Sequence, residues 1–188
     1  GLAVFSCFAE CVNRAPQLVI EQPSLVKKVV FPIEVLPWVA ALTASAGLAV
    51  SGVLLAGLTA LAQGTLPSTV IALPLVWLPL LPLVLGLGWL LAGVGTYVRD
   101  VGQVLGMAMG ALMFLSPIFF PVEALPDAMR VWMGLNPLAG VMTATREVLH
   151  GQWPHWGSLA VSMAVNVLVA IAGAAFFRRV RTEFADVV

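Results

Sequence analysis

The feature that most restricts the fold of this chain is a run of 64 residues, Val35 to Val98, that contains no Asp, Glu, Lys or Arg. About a quarter of the residues in a soluble domain are charged, whereas only 10% of this 188-residue chain is charged and 61% is hydrophobic. The run exceeds the roughly 20 apolar residues that cross a bilayer as one helix. It shows no alternation of period two, which favours helices over a β-barrel. The sequence therefore predicts an all-α, polytopic integral membrane protein.

Polar turns divide the apolar sequence into spans. Gln63 to Ser68 is a tight turn that splits the uncharged run in two, and the aromatic residues Trp153 and Trp156 mark a membrane interface before the last span. We expect the chain to begin partway along a helix whose first half lies upstream. The predicted segments are the end of a span at 1–12, a cytoplasmic segment at 13–36, spans at 37–62, 70–95, 104–121 and 157–177, a cytoplasmic turn at 96–103, a hairpin at 122–151 and a cytoplasmic tail at 178–188.

Basic residues are distributed unevenly between the two sides of this topology. If each span crosses once, the segments 13–36, 96–103 and 178–188 share one side and hold seven of the nine Lys and Arg residues. The other side has only Arg130 and Arg146. By the positive-inside rule the first three segments are cytoplasmic.

The stretch Val122–His150 is too charged for a simple span and too apolar for a solvent loop. It is predicted to form two short amphipathic helices, with Asn136 as the N-cap and Pro137 as the first residue of the second helix, and with Gly151 as its stop. One arrangement is a re-entrant hairpin that enters the membrane from the outer side; the other is a pair of interfacial helices lying flat. In the re-entrant arrangement the residues at the turn are candidates for an outer gate: Met133, Asn136, Pro137 and Leu138.

The chain lacks the residue patterns of several other classes of protein. The interiors of the four complete spans have no ionisable residue, which argues against a proton- or sodium-coupled carrier. There is no G-x-x-x-x-G-K-[ST] phosphate loop, no catalytic constellation and no metal cluster. Cys7 and Cys11 are expected to pack as small apolar residues, and Asn166 to form a hydrogen bond between helices. We therefore expect no enzyme activity and no cofactor or metal in this chain, and no basic groove for nucleic acid.

Four motifs, taken in order, carry a resemblance to a known family. They are S-L-V-K-K-V-V-F-P-I-E-V-L-P, Y-V-R-D-V-G-Q-V-L, F-L-S-P-I-F-F-P-V-E-A-L-P and L-N-P-L. Together they resemble the ABC-2 type permeases that export polysaccharides and polyol phosphates, and the similarity extends over nearly all of the chain. The family has six spans, which implies that an amphipathic N-terminal region, the first span and most of the second are absent here.

The resemblance also implies partners and site residues. A separate nucleotide-binding subunit would bind ATP and Mg, and the permease would dock on it through a cytoplasmic coupling segment. The residues implied for this ATPase-coupling interface are Lys27, Lys28, Phe31, Pro32, Glu34, Arg99 and Asp100. Contact with anionic lipid is an alternative for Lys27 and Lys28, but it does not explain Glu34.

The resulting prediction is the permease subunit of an ATP-driven exporter in the bacterial inner membrane. It would form a homodimer with two ATPase subunits and move a lipid-linked glycan such as O-antigen, capsular polysaccharide or teichoic acid. The alternatives are an ABC-2 permease for a drug or lipid and a membrane scaffold without transport. Aromatic residues that could line the glycan path, each with a lipid-facing or core position as the alternative, are Trp38, Trp77, Trp89, Phe114, Phe119 and Phe120.

Overall fold

The structure, a computed structural model, describes residues 1–20, 33–98, 100–118 and 136–181. These residues form helices and no strand, which confirms the all-α class. The helices are α1 (Leu2–Arg14), α2 (Leu36–Gln63), α3 (Leu73–Trp77), α4 (Leu80–Tyr97), α5 (Val101–Leu115), α6 (Ala139–Leu149) and α7 (Trp156–Val180), with short 3-10 turns at Ala15–Gln17, Ile33–Val35 and Ser68–Ala72. Within the described ranges, three stretches are long and apolar enough to cross a membrane: Ile33–Ala62, Ser68–Tyr97 and Trp156–Val180.

The second of these stretches is broken rather than continuous. The α-helical hydrogen-bond pattern is interrupted between α3 and α4 at Leu78 and Pro79, although both residues keep right-handed helical dihedral angles, because proline has no N–H to donate and crowds the preceding turn. Asn166 of α7 donates from Nδ2 to the carbonyl oxygen of Pro79 at 2.8 Å. This confirms the interhelical hydrogen bond predicted for Asn166 and shows that its acceptor lies at the break.

Helices α4 and α7 make the most extensive helix contact among the described residues. Their backbones touch through two glycines. A Cβ placed on Gly86 would lie 2.6 Å from the carbonyl oxygen of Val169, and one on Gly173 would collide with the carbonyl oxygen of Gly86. Small residues allow this approach in membrane helices, so the pair is interlocked at its centre.

The main core surrounds α1. Its side chains pack against α2, α4 and the start of α6, where Leu138 and Met142 are fully buried. Cys7 and Cys11 are free thiols in this core, and no group of three potential metal ligands occurs among the described residues. They pack as small apolar side chains, as expected.

At one end of the bundle the turn after α1 meets the last turn of α4. A Cβ on Gly95 would lie 2.5 Å from the carbonyl oxygen of Pro16, and Glu34 contacts Arg181 at the same end. We call this the Glu34 end. It brings together described parts of the segments predicted to be cytoplasmic, while the side of the membrane that it faces stays a prediction.

At the opposite end, the turn Ser68–Ala72 packs against α6. Thr69 donates from Oγ1 to the carbonyl oxygen of Val148 at 2.7 Å, and a small buried cluster that includes Ala72, Leu73 and Val148 closes the contact. We call this the Thr145 end, after the threonine at its centre.

Candidate functional site

Glu34 is the focus of the charged contacts at the Glu34 end. Its carboxylate oxygen Oε1 accepts a hydrogen bond from Nη1 of Arg181 at 2.7 Å. Arg178 approaches the same oxygen through Nε at 3.7 Å. The side chain of Glu34 is 32% exposed and that of Arg178 is 70% exposed, so these ion pairs are partly screened and each contributes little to stability. The last turn of α7 is thereby linked to a residue of the predicted coupling segment 13–36.

Two tryptophans fix the backbone beside this carboxylate. Trp89 of α4 donates from Nε1 to the carbonyl oxygen of Glu34 at 3.0 Å. Its ring meets that of Trp38 edge to face, with centroids 6.3 Å apart and planes at 71°, an arrangement that aromatic pairs favour. Glu34 is therefore held by α4 through its backbone and by α7 through its side chain.

A cavity of about 370 Å³ opens beside this cluster. Residues of α2, α4 and α7 and of the 3-10 turn before α2 line it. The lining residues are Glu34, Val35, Trp38, Trp89, Ala174, Phe177 and Arg178. The cavity thus combines one carboxylate, one guanidinium and two indole rings with apolar walls.

The Thr145 end is held by buried hydrogen bonds to backbone and hydroxyl groups. Trp77 donates from Nε1 to Oγ1 of Thr145 at 3.1 Å, and that hydroxyl donates to the carbonyl oxygen of Val141 at 2.7 Å. The indole of Trp77 also fills the space beside Gly52 of α2, where a Cβ would collide with the ring. Trp77 therefore locks α2, α3 and α6 together.

Helix α6 begins later than the sequence indicated. The prediction that Asn136 caps the helix and that Pro137 is its first residue is wrong, because the helix starts at Ala139. Asn136 instead accepts at Oδ1 from the N–H of Leu138 at 3.0 Å and donates from Nδ2 to Oγ of Ser116 at 3.1 Å. These bonds stabilise a turn, as Asn side chains commonly do in competition with helix.

The other end of α6 carries its charges. Arg146 donates from Nη2 to the carbonyl oxygen of Pro117 at 3.0 Å, which ties α6 to the chain that follows α5. Glu147 accepts from His155 at the exposed start of α7, with 2.9 Å between Oε1 and Nδ1. Gly151, predicted as the stop, has a φ of +80°, a left-handed conformation suited to a glycine after a helix.

Some of the residues predicted for the coupling interface and the outer gate lie within the described ranges, and others lie outside them. Of the coupling residues, Glu34 lies in the cluster above and Asp100 is exposed before α5. Of the gate residues, Leu138 is buried in the main core, and Asn136 and Pro137 lie in the turn before α6. The residues of these predictions that lie outside the described ranges are Lys27, Lys28, Phe31, Pro32, Arg99 and Met133.

The predicted glycan-path aromatics do not form one surface. Trp38 and Trp89 lie together at the Glu34 end, Trp77 belongs to the Thr145 end, and Phe114 is exposed on α5. Phe119 and Phe120 lie outside the described residues. Among the described aromatics of this group, Trp38 and Trp89 border a cavity together with charged groups.

Sequence reasoning missed four residues that form these two ends. Arg178 and Arg181 entered only as positive charges that set the orientation, although they contact Glu34. Thr145 and Thr69 were polar residues in apolar surroundings, which is the signal that could have identified them as donors or acceptors. Their partners are 68 and 79 residues away in the sequence, so no local pattern identifies them.

The sequence of the chain is similar to those of known proteins. Residues 1–150 match the family model for the ABC-2 type transporter. The chain is 27% identical over 190 residues to the O-antigen export system permease protein RfbA of Myxococcus xanthus, with 99% of this chain and 73% of that protein aligned. It is 20% identical to the protein of the same name from Klebsiella pneumoniae, over all of this chain and 73% of the relative.

A relative with a different cargo in its name matches a shorter part of the chain. The daunorubicin resistance ABC transporter permease protein DrrB1 of Streptomyces coeruleorubidus is 31% identical over 86 residues, which cover 44% of this chain and 30% of that protein. Both kinds of relative are permeases. This chain accordingly belongs to the ABC-2 type transporter family, and it is a multi-pass inner-membrane subunit of an ABC exporter whose ATPase is a separate subunit.

Proposed function

We propose that this permease exports a lipid-linked polysaccharide. The observation that carries the proposal is the extent of the alignments: relatives named for O-antigen export match 99% and 100% of the chain, whereas the relative named for drug resistance matches 44%. Spans without charged interiors, with tryptophans near one end, also suit a polymer bound by stacking and hydrogen bonds.

The cluster at the Glu34 end supports a route for coupling to the ATPase. A displacement of the segment before Glu34 would be passed to α4 through the bond from Trp89 and to α7 through Arg181. Because α4 and α7 are interlocked at Gly86 and Gly173, the two helices would move as one body. In this proposal Lys27 and Lys28 meet the ATPase, and Glu34 passes on the motion.

The exposed side of α5 supports a homodimer. Leu105, Met109 and Leu112 face the main core of their own protomer, but Met107 and Phe114 are 72% and 71% exposed. Three glycines on the flank of this surface have open space where a Cβ would be: Gly102, Gly106 and Gly110. Such spacing suits close approach by a helix of a second protomer.

The dimer can be tested by substituting one of these glycines. Gly106→Leu should reduce the crosslinked dimer in membranes, whereas Gly57→Leu should not, because Gly57 is an exposed glycine with equally open space on α2. Equal amounts of dimer in both variants would exclude this surface of α5 as the interface.

Polysaccharide export itself can be tested in the organism that carries the gene. Deletion of the permease gene should remove the polymer from the cell surface and accumulate the lipid-linked polymer inside, because synthesis continues without export. The full-length gene, expressed together with its ATPase, should restore the surface polymer.

The relative named for daunorubicin resistance suggests the alternative, which is export of a drug. If the deletion strain keeps its surface polymer and instead becomes sensitive to an amphiphilic drug, the polysaccharide proposal is wrong. A strain that carries an inactive ATPase serves as the control, because it should reproduce whichever defect the permease deletion causes.

A further inference from the structure

The cavity at the Glu34 end shares Glu34 with the proposed coupling route and two tryptophans with the candidate polymer path, and it also has the features of a site for a small ligand. Its volume of about 370 Å³ falls within the range of about 300–1,000 Å³ that is common for small-molecule pockets. Trp38, Trp89 and Arg178 border it, and tryptophan and arginine mark the depth of the membrane–water interface. We therefore expect a molecule in this cavity to lie at the depth of the lipid headgroups.

Groups of both charges lie at the cavity, with one carboxylate close to two guanidinium groups. Glu34 supplies a carboxylate, and Arg178 and Arg181 supply guanidinium groups within 3.7 Å of it. A carboxylate can accept several hydrogen bonds at once, so the bond from Arg181 leaves Glu34 with acceptor capacity. Arg178 makes the longer contact and keeps most of its side chain exposed, so its guanidinium can bind a phosphate.

The apolar surfaces beside the cavity suit an acyl chain. Val39 and Leu42 of α2 are 57% and 61% exposed, and Ile171 of α7 is 61% exposed. Both helices belong to stretches that are long and apolar enough to span a membrane. A lipid whose headgroup occupies the cavity can therefore lay a chain along these residues without leaving the bilayer.

We propose that this cavity binds the headgroup of a phospholipid that carries a primary ammonium group, as phosphatidylethanolamine does. The phosphodiester binds Arg178, the ammonium donates to Glu34, and the indole of Trp38 covers the glycerol region. Phosphatidylcholine has the same phosphodiester and the same net charge, but its quaternary ammonium has no N–H to donate. It is therefore the matched control lipid.

The test uses the full-length permease with its ATPase, reconstituted in nanodiscs that contain a photoactivatable analogue of one lipid or the other. Crosslinked peptides that contain Trp38 or Ala174 report occupancy of the cavity. Phosphatidylethanolamine should label these peptides about tenfold more than phosphatidylcholine, which corresponds to about 1.4 kcal/mol, within reach of one charge-assisted hydrogen bond. Labelling does not require transport, so its result is independent of which cargo the permease exports.

Two arginines that are adjacent in the sequence provide matched variants. Arg178→Gln should abolish most of the labelling by phosphatidylethanolamine, because the phosphate loses its partner. Arg179→Gln removes the same charge from the next position of α7, outside the cavity lining, and should leave labelling within about twofold. Glu34→Gln should bring the two lipids to similar labelling.

Three results would overturn the proposal. One is equal labelling by the two lipids in the unaltered protein. The second is an equal loss in Arg178→Gln and Arg179→Gln, which would mean a general attraction of lipid to basic residues. The third is stronger labelling of the same peptides by a polyprenyl phosphate probe than by phosphatidylethanolamine, which would assign the cavity to a lipid carrier of glycan instead.

Discussion

The two ends of this bundle are held by different kinds of interaction. At the Glu34 end the side-chain contact between α7 and Glu34 is a partly exposed ion pair of 2.7 Å beside an open cavity, and Trp89 bonds only to the backbone of Glu34. At the Thr145 end the connection is a set of hydrogen bonds from Thr69, Trp77 and Thr145 to neutral groups, two of them to backbone carbonyls. Exposed ion pairs are weak and can exchange partners, whereas buried hydrogen bonds are costly to break.

The difference shows which end can change its structure at low cost. Glu34 can exchange Arg181 for another cation or for water without leaving a buried group unsatisfied. Thr145 and Thr69 are 2% and 3% exposed, so separation of their partners would leave polar groups without hydrogen bonds. We therefore expect motion to begin at the Glu34 end and the Thr145 end to resist it.

The largest effect is expected in a test of whether the two ends face opposite sides of the membrane, because a cysteine either reacts with an impermeant reagent or does not. In a background with Cys7→Ala and Cys11→Ala, a single cysteine at Ser68 should react with an impermeant reagent in intact cells, because the turn it occupies is expected outside. A cysteine at Asp100 should react only after the cells are permeabilised. Reaction of Asp100→Cys in intact cells would contradict the orientation.

A substitution between the two ends should destabilise both. Gly173→Val would force α7 away from the carbonyl oxygen of Gly86, and overpacking of this kind costs about 1–3 kcal/mol or more. We expect a large fall in the unfolding temperature, measured by exposure of the buried thiols Cys7 and Cys11 to a reactive fluorophore on heating. Gly57→Val, at an open position on α2, is the control, and an equal fall in both variants would argue against the interlock.

Removal of one hydroxyl should affect the Thr145 end by a smaller amount. Thr145→Val deletes the acceptor for Nε1 of Trp77, and a donor left without a partner costs about 1–3 kcal/mol. Thr43→Val is the matched control, because its hydroxyl bonds only to its own helix, at Val39, and is exposed. Equal unfolding temperatures for the two variants would mean that the bond from Trp77 does not stabilise this end.

The smallest effect on stability is expected at Glu34. Glu34→Gln removes a partly exposed ion pair, which contributes at most about 1 kcal/mol, so the unfolding temperature should change little. ATP hydrolysis by the full complex should nevertheless become less well coupled to export.

Exchanging the charges of Glu34 and Arg181 tests whether the contact between them is needed for coupling. Glu34→Arg combined with Arg181→Glu should recover part of the coupling lost in Glu34→Arg alone, as expected for residues that contact each other. If the double variant is no better than the single one, Glu34 acts through another contact, such as the ATPase surface.

The helical architecture could be predicted because hydropathy and turn residues are local signals. Gly64 ends α2 in a left-handed conformation with φ of +73°, in the turn that the sequence placed at Gln63 to Ser68. The hydrogen bond of Asn166 was predictable as well, since the N–H group of an amide within a span is expected to donate to a neighbouring helix. That its partner is Pro79 could not be predicted, because the register of α7 against α4 depends on where the two backbones touch.

The two ends could not be predicted for the same reason. Glu34 and Arg181 are 147 residues apart, and the sequence indicated only that they share a side of the membrane. The start of α6 was misassigned because Asn136 can cap either a helix or a turn, and the position of Ser116 decides between them. Such choices depend on tertiary contacts that no short pattern records.

The contact between Gly86 and Gly173 sets a mechanical limit on the transport cycle. Where backbone meets backbone, no side chain can change rotamer to let one helix slide or separate from the other, so the distance between α4 and α7 is fixed at that level. A path that opens and closes must therefore change its width by movement of other helices relative to this pair. The α4–α7 pair is therefore one rigid body, and the movements of the other helices can be measured relative to it.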